Sequence, residues 1–402
     1  MSQLNYLEKL LDGVEVEWRE LGEVCRFING RAYKKAELLE KGKYPVLRVG
    51  NFFTNNHWYY SDLELDEDKY CDNGDLLYAW SASFGPRIWQ EGKVIYHYHI
   101  WKVIPNTEII KKKYLFYLLD WDTEALKAEQ STGSTMKHIG KGLIEKRMLP
   151  IPPLKVQAEI IRILDSFTEL TAELTAELTA RQQQYAYYRD QLLTFEEGDV
   201  EWRELSEIFH LKNGYTPSKS KNEFWENGQI PWFRMDDIRT NGKVLNDSLQ
   251  KVSTSAVKGG KLFSANSIII STSATIGEHA LVAVPFLANQ RFTNLSLKPD
   301  YTDRFNMKFI FYYCFLLAEW CKNNTTVSSF PSVDMNGFKK FQIPIPTLSE
   351  QDHIVTILDK FDALTTSLTE GLPREIELRQ QQYEYYRDLL LSFPKPEVVA
   401  HD

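Results

Sequence analysis

The 402-residue chain reads as an α+β protein: two α/β domains separated by two long antiparallel coiled-coil helices, its halves in a pseudo-two-fold cyclic arrangement. Three observations carry this reading. The segment RQQQYAYYRDQLLTF, Arg181 to Phe195, returns as RQQQYEYYRDLLLSF, Arg379 to Phe393. The motif VEWREL stands at 16–21 and again at 200–205, and LPIPPLKVQAEIIRILDSF (149–167) is answered by IPIPTLSEQDHIVTILDKF (343–361). Between these markers lie two unlike stretches that mix strand and helix patterns, so one architecture is written twice with different contents.

The elements follow in order. The start, EKLLDGVEVEW, echoes DQLLTFEEGDVEW ahead of the second copy, as though the chain began with the tail of a helix. This places the two ends close together. A first domain occupies 1–148. Within it DLLYAWSASFGPRIW predicts strand, Gly turn, strand, and KKKYLFYLLDWDTEALKAE predicts an amphipathic helix followed by the polar loop QSTGSTMKHIGKG.

The central spacer helix takes 149–197. Prolines at 150, 152 and 153 hold the chain extended, and helix formers take over beyond them. Apolar residues then fall mostly three or four apart, from Ile160, Ile161 and Leu164 through Leu170, Leu174 and Leu178 to Tyr185, Tyr188, Leu192 and Phe195. From Gln157 to Phe195 such a helix runs about 58 Å, too long to lie inside one small domain, so it needs a partner helix. The second copy supplies one. TAELTAEL at 171–178 keeps a leucine at every fourth position.

A second domain occupies 198–342. The stretch NSIIISTSATIGEHALVAV again predicts strand, turn, strand, DRFNMKFIFYYCFLLAEWCK a capped helix, and NNTTVSSFPSVDMNG a polar loop. Asn213-Gly214 repeats the Asn29-Gly30 turn. The C-terminal spacer helix takes 343–402, with prolines at 344 and 346 before it. Its insert TTSLTEGLPREIELR predicts a break near Gly371, with Pro373 in the first turn of the resumed helix.

Composition narrows the functional classes. The apolar and charged fractions, 43% and 25%, are those of a globular protein. No apolar run approaches the roughly 20 residues of a membrane-spanning helix, and the start lacks the zones of a secretory signal, so the expectation is a cytoplasmic protein with no membrane partner. Cys25, Cys71, Cys314 and Cys321 form no C-x-x-C pair and read as buried free thiols. The net charge is −8, but the acid is concentrated in the repeated helices, and the stretches between them carry local basic clusters. Catalytic signatures are absent: there is no phosphate-binding G-x-x-x-x-G-K-[ST], no G-x-G-x-x-G, and only IPPL where an adenine methylation motif would need a polar residue and an aromatic. His97 and His99 flank Tyr98 on one expected strand face, without a third metal ligand nearby.

The polar loops hold residues suited to nucleic acid. Hydroxyls and glycine-turn amides bind phosphate, while Arg, Lys, Asn and Gln read base edges. Candidates in the first half are Arg31, Lys34, Lys35, Arg87, Ser134, Lys137 and Lys141. In the second half they are Tyr215, Thr216, Ser218, Lys219, Arg234, Gln290, Arg291, Ser328 and Ser329. A second set, Tyr185, Tyr187, Tyr188 and Arg189 with Tyr383, Tyr385, Tyr386 and Arg387, holds too many aromatics for one two-helix seam, so part of it is expected to bind a protein partner.

The order of these motifs, from the VEW start through IPIPP…QAEIIRILDSF, the TAEL tetrads and RQQQYAYYRDQLL to EGLPREIELRQQQYEYYRD, resembles the DNA-specificity subunit of type I restriction-modification systems, in the subgroup with TAEL tetrads in the central spacer helix. The resemblance spans the whole chain and is sharpest in the helices. It implies two target recognition domains, each reading one half of a split, asymmetric target in double-stranded DNA. It also implies spacer helices that set the half-site distance and dock two modification (methyltransferase) subunits, joined by two restriction/translocation subunits. S-adenosylmethionine, ATP and Mg would sit on those partners, with no cofactor and no catalytic or metal site in this chain. Two other readings remain from sequence: a two-module coiled-coil protein-binding scaffold without DNA contact, and a self-sufficient methyltransferase, which the missing motif disfavours.

Overall fold

A computed structural model describes residues 9–129, 138–326, 331–367 and 370–394. Two compact units emerge: Met1–Leu174 with Glu375–Asp402, and Thr175–Arg374. The first unit therefore draws on both ends of the chain. Leu390, Leu391 and Phe393 are buried in one core with Leu21, Val24, Tyr114 and Leu164, and the Trp18 indole donates to the Pro394 carbonyl at 3.1 Å. The cyclic expectation thus has a physical basis in this unit.

The opening motif of each half pairs with its closing Pro-rich strand. Glu17–Glu20 runs antiparallel to Met148–Ile151, with Trp18 opposite Pro150. Glu201–Glu204 does the same with Gln342–Ile345, Trp202 opposite Pro344. A proline can sit there because each pairing is a two-stranded sheet, where its missing N–H leaves no ladder bond unmade on a further strand.

Inside the first unit Cys25–Asn29, Ile100–Pro105, Leu76–Ser81 and Ser83–Ile88 form one four-stranded sheet. A second has the order Tyr59–Ser61, Tyr44–Leu47, Val94–Tyr96, Tyr70–Cys71. The second unit repeats this plan with a five-stranded and a three-stranded sheet, the latter ordered Lys251–Val252, Ile230–Phe233, Leu287–Ala288. The expected Gly turn in the first hairpin falls instead at Ala82, whose φ is 64°, while Gly85 lies within the returning strand. In the second, Ala274 and Gly277 supply the left-handed residues.

The helix Lys112–Glu129 packs on the first unit's sheet at Ser83–Ile88, and Met307–Asn323, capped by the Asn306 side chain on the Lys308 amide, packs on the second unit's five-stranded sheet at Ser267–Ser271 and His279–Val282. The central helix spans Leu154–Leu192, beginning directly after Pro153. Two internal staples recur where the sequence recurs. Gln157, fully buried, donates to the carbonyls of Ile109 (2.9 Å) and Pro152 (2.8 Å) and accepts from the Lys111 amide (2.8 Å). Gln351 makes the same three bonds to Arg304, Pro346 and Asn306. Two turns later Asp165 accepts from Tyr117 and Lys113, and Asp359 from Tyr312 and Lys308.

The C-terminal segment forms Leu348–Thr366 and Leu372–Leu391. The break comes at Gly371, whose φ is +82° and where a Cβ would stand 2.4 Å from the Ala363 carbonyl; Pro373 lies in the first turn of the resumed helix. In the first unit Phe167 of the central helix stacks on Tyr386 at 5.2 Å. In the second, Tyr185 and Tyr188 stack on Phe361 at 6.0 and 5.8 Å.

All four cysteines are free and buried; burial pushes the Cys25 and Cys321 thiols up to about 12. Among the described residues no helix is long and apolar enough to cross a membrane, and no group of three His, Cys, Asp or Glu could hold a metal ion.

Candidate nucleic-acid interface

In the second unit a cavity of about 580 Å³ opens where the strand Ile230–Phe233 ends and a short helix, Met235–Asn241, begins. Arg234 stands at that junction. Its amide donates to the buried Asp237 carboxylate at 2.7 Å, and the same carboxylate accepts from the Leu249 amide at 2.6 Å. The Arg234 guanidinium lies over the Trp232 ring, 5.6 Å from its centroid. Trp232 is fixed by its indole N–H on the Tyr215 carbonyl (3.0 Å), and Trp225 packs edge-on against it at 5.0 Å with its own N–H on the Ser218 carbonyl. The wall is completed by Thr216, Lys219, Asn222, Gln250, Asn289, Gln290 and Arg291. Thr216 and Gln290 are hydrogen-bonded to one another.

Gly214 explains how these segments meet. A Cβ there would lie 2.2 Å from the Asn289 carbonyl oxygen and 2.3 Å from that of Ala288, so only glycine lets the loop approach the strand end this closely. The Tyr215 amide then bonds the Ala288 carbonyl at 2.8 Å, and the Asn289 amide bonds Phe233 at 3.0 Å.

The first unit builds the same frame. A Cβ on Gly30 would meet the Tyr96 and His97 carbonyls at 2.2 and 2.6 Å. The Arg31 amide bonds Tyr96 at 3.0 Å and the His97 amide bonds Leu47 at 2.9 Å. A smaller cavity of about 220 Å³ results, lined by Arg48 through Asn51 with Asn55, His57, Tyr59, His97 and His99. Arg48 ends the strand Tyr44–Leu47 as Arg234 ends its own, and lies over the Tyr59 ring at 5.3 Å. The histidines are therefore not on a strand face: the strand stops at Tyr96, and the Ile100 amide closes a turn on the His97 carbonyl at 2.9 Å. Burial, then the neighbouring His99 and Arg48, lower His97 to about 4, so it is a neutral hydrogen-bonding ring at pH 7.

Of the sequence candidates in the second half, Thr216, Lys219, Arg234, Gln290 and Arg291 line one cavity. Tyr215 lies beside it as support, its hydroxyl donating to the Ala256 carbonyl and accepting from the Lys258 amide, and the Ser218 hydroxyl pairs with Ser220. The first-half set does not converge. Arg31 is held by Glu37 through two bonds of 3.0 and 2.9 Å, and Arg87 donates to the Phe52 carbonyl. Lys34 and Lys35 are exposed around a single 3-10 turn, and Lys141 lies 3.6 Å from Glu145. Ser134, Lys137, Ser328 and Ser329 lie outside the described residues. Sequence reasoning missed Arg48, Asn51, Asn55 and His57, although Pro45-Val46-Leu47-Arg48 and Pro231-Trp232-Phe233-Arg234 share the frame P-x-x-R.

The helix set divides by position. Tyr185 is buried in the second unit and Tyr383 packs against the first unit's core. Arg189 lies over Tyr185 and Phe315, and Arg387 over Tyr383 with Asp120 at 3.9 Å. Tyr188 and Tyr386 are engaged in the seam stacks. Only Tyr187 and Tyr385, 60% and 52% exposed, project most of their ring surface.

Comparison with known proteins places this frame. The family model described as the type I restriction modification DNA specificity domain matches residues 13–181 and 197–378. The Escherichia coli type I restriction enzyme EcoR124I/EcoR124II specificity subunit is 39% identical over the full length of both chains. The E. coli type I restriction enzyme EcoprrI specificity subunit is 65% identical over 207 residues, half of this chain and 52% of that protein. The crystal structure of a type I restriction-modification S subunit from M. genitalium aligns with a TM-score of 0.55 at 15% identity, over 96% of this chain and 98% of that one, a likeness of fold. With the family model matched twice and a relative matched end to end, the chain belongs to the type I restriction-modification DNA specificity family.

Proposed function

We propose that the chain is the DNA sequence-recognition subunit of a type I restriction-modification complex and reads a bipartite, asymmetric target with one domain per half-site. One observation carries this: the same backbone frame, Gly30/Gly214 and Arg48/Arg234, encloses cavities with different linings in the two units. One frame with two linings is what two unlike half-sites require. The chain is non-catalytic. Domains at 1–148 and 198–342 do the reading, and segments 149–197 and 343–402 serve as spacer helices.

In this reading the helices dock two modification subunits, with Tyr187 and Tyr385 as equivalent contacts, one per unit. Exposed tyrosine adds large contact area at little entropy cost, which suits a hot spot. Two restriction/translocation subunits complete the assembly in the cytoplasm, and S-adenosylmethionine, ATP and Mg act on the partners. The TAELTAEL run at 171–178 supports a place for the chain in the subgroup with tetrads in the central spacer. One added TAEL lengthens a helix by about 6 Å, against roughly 3.4 Å per base pair. The recognised spacer should grow by one or two base pairs while both half-sites keep their sequence. Methylation mapping that showed an unchanged spacer would reject the ruler. Salt-independent or absent binding of duplex DNA by the reconstituted assembly would reject DNA recognition itself.

A further inference from the structure

Resting on that reading, we propose that Arg48 and Arg234 are equivalent guanine-reading residues, so that each half-site contains a G·C pair whose guanine meets this side chain in the major groove. Both occupy the same backbone position, the residue after a strand whose last carbonyl is bonded by the neighbouring chain, at Leu47 by His97 and at Phe233 by Asn289. Each guanidinium stands over an aromatic ring, 5.3 Å from the Tyr59 centroid or 5.6 Å from that of Trp232, a cation–π contact that leaves its N–H groups unused.

Those N–H groups remain available. Among the described residues no carboxylate pairs with Arg48, and the carboxylate paired with Arg234, that of Asp236, stands at 4.0 Å. The buried Nε of Arg234 has no partner among them. The contrast is with Arg31, Arg87 and Arg147, whose forks are bonded to Glu37, to the Phe52 carbonyl, and to Asp122 with Glu129. A planar fork with free donors matches the two acceptors O6 and N7 of guanine. The neighbours favour a base over a phosphate. His97 and His99 on one side, Asn289 and Gln250 on the other, are rings and amides that offer acceptors as well as donors, and a phosphate has no donor for them to accept.

The test uses the full chain co-expressed with its modification subunits and maps methylation across a genome for R48A, R48K, R234A and R234K. Each alanine variant should relax discrimination at a single G·C position of one half-site by about 5- to 150-fold, leaving the other half-site as in wild type. The two positions must fall in opposite half-sites. Lysine keeps the charge and loses the fork, so R48K and R234K should relax the same positions; they decide the matter if an alanine variant does not fold. Uniformly weaker methylation with unchanged sequence preference would mean phosphate contact and overturn the proposal, as would a wild-type half-site lacking any G·C pair. Failure of the wild-type assembly to methylate a bipartite target would overturn the functional reading along with it, whereas wild-type methylation with unaltered variants would sink this inference alone.

Discussion

Ending the chain after residue 197 would keep the first domain and the central helix but remove the segment that closes the first unit's core. Leu390 and Leu391 are fully buried there and Phe393 is 5% exposed. At about 1.5–3 kcal/mol for each buried side chain, their loss costs roughly 5–9 kcal/mol. That is comparable to the whole stability of an ordinary domain, about 5–15 kcal/mol. A half-length monomer should therefore be unstable. The truncated chain nevertheless carries its own copy of the lost segment: Leu192, Leu193 and Phe195 stand in the repeat where Leu390, Leu391 and Phe393 stand. In the second unit these residues pack into the corresponding core, with Leu193 buried among Leu205, Phe309 and Leu358. Two copies can thus close each other's cores, and residues 1–197 should be a symmetric dimer whose melting temperature rises with concentration. Light scattering with concentration-dependent thermal unfolding checks this. A well-folded monomer at micromolar concentration would refute the reasoning.

Gln157→Leu keeps the side-chain size but strands three backbone groups; at about 1–3 kcal/mol for each buried group left unmade, unfolding in urea should show a loss of at least about 3 kcal/mol, and a change below about 1 would show that the staple is dispensable. Tyr385→Ala and Tyr187→Ala should leave stability within about 0.5 kcal/mol yet weaken capture of the modification subunits, whereas Tyr386→Ala, which removes the stack on Phe167, should lower stability first; calorimetry and pull-down titration separate the two. Burial, aided by the cations of Lys243 and Arg189, lowers His279 from 6.5 to about 4. The unfolded chain then binds the extra proton, so the contribution is whole above pH 6.5 and is lost as pH falls toward 4, by about 3 kcal/mol in total; His279→Asn should flatten stability between those pH values. Gly214→Ala drives a methyl into two carbonyls and should cost about 1–3 kcal/mol or more, with loss of one half-site in methylation maps and retention of the other.

The helices and the duplication were legible because their signals are local. Prolines 150, 152 and 153 fix where the central helix starts, and the 3.6-residue period carries it to Leu192. Gly371 and Pro373 mark the break in the other copy through backbone chemistry alone. The cavities were half legible. In the second half Thr216, Lys219, Arg234, Gln290 and Arg291 are polar residues in loops, which is a chemical signal. In the first half the lining is Arg48, Asn51, Asn55, His57, His97 and His99, brought together only when a strand beginning at Tyr44 pairs with one beginning at Val94. Such pairing is long-range, and no periodicity announces it. Arg31 and Arg87 looked like free cations because their acceptors, Glu37 and the Phe52 carbonyl, are defined by the fold. The matching P-x-x-R frames would have found Arg48 from Arg234 had the two halves been aligned across their unlike middles.

What is repeated and what is not then sorts by where each side chain spends its hydrogen bonds. Gln157 and Gln351, Asp165 and Asp359, and Arg189 and Arg387 are engaged within the protein, and a change at either glutamine strands buried backbone partners. His97 and Asn289, whose amides bond Leu47 and Phe233, and His99 and Arg291, whose carbonyls accept from the Trp80 and Thr272 amides, share these backbone bonds while their side chains differ. An exchange of one middle stretch for that of a relative should therefore succeed when both zipped strands, Glu201–Glu204 and Gln342–Ile345, stay as they are, because the Trp202–Pro344 register and the Leu205 to Phe341 bond at 2.8 Å close the domain independently of its lining. Cutting inside either strand should instead cost solubility, since the register would then depend on residues from two different parents. Methylation by such an exchange with both half-sites altered would contradict the separation of frame from lining.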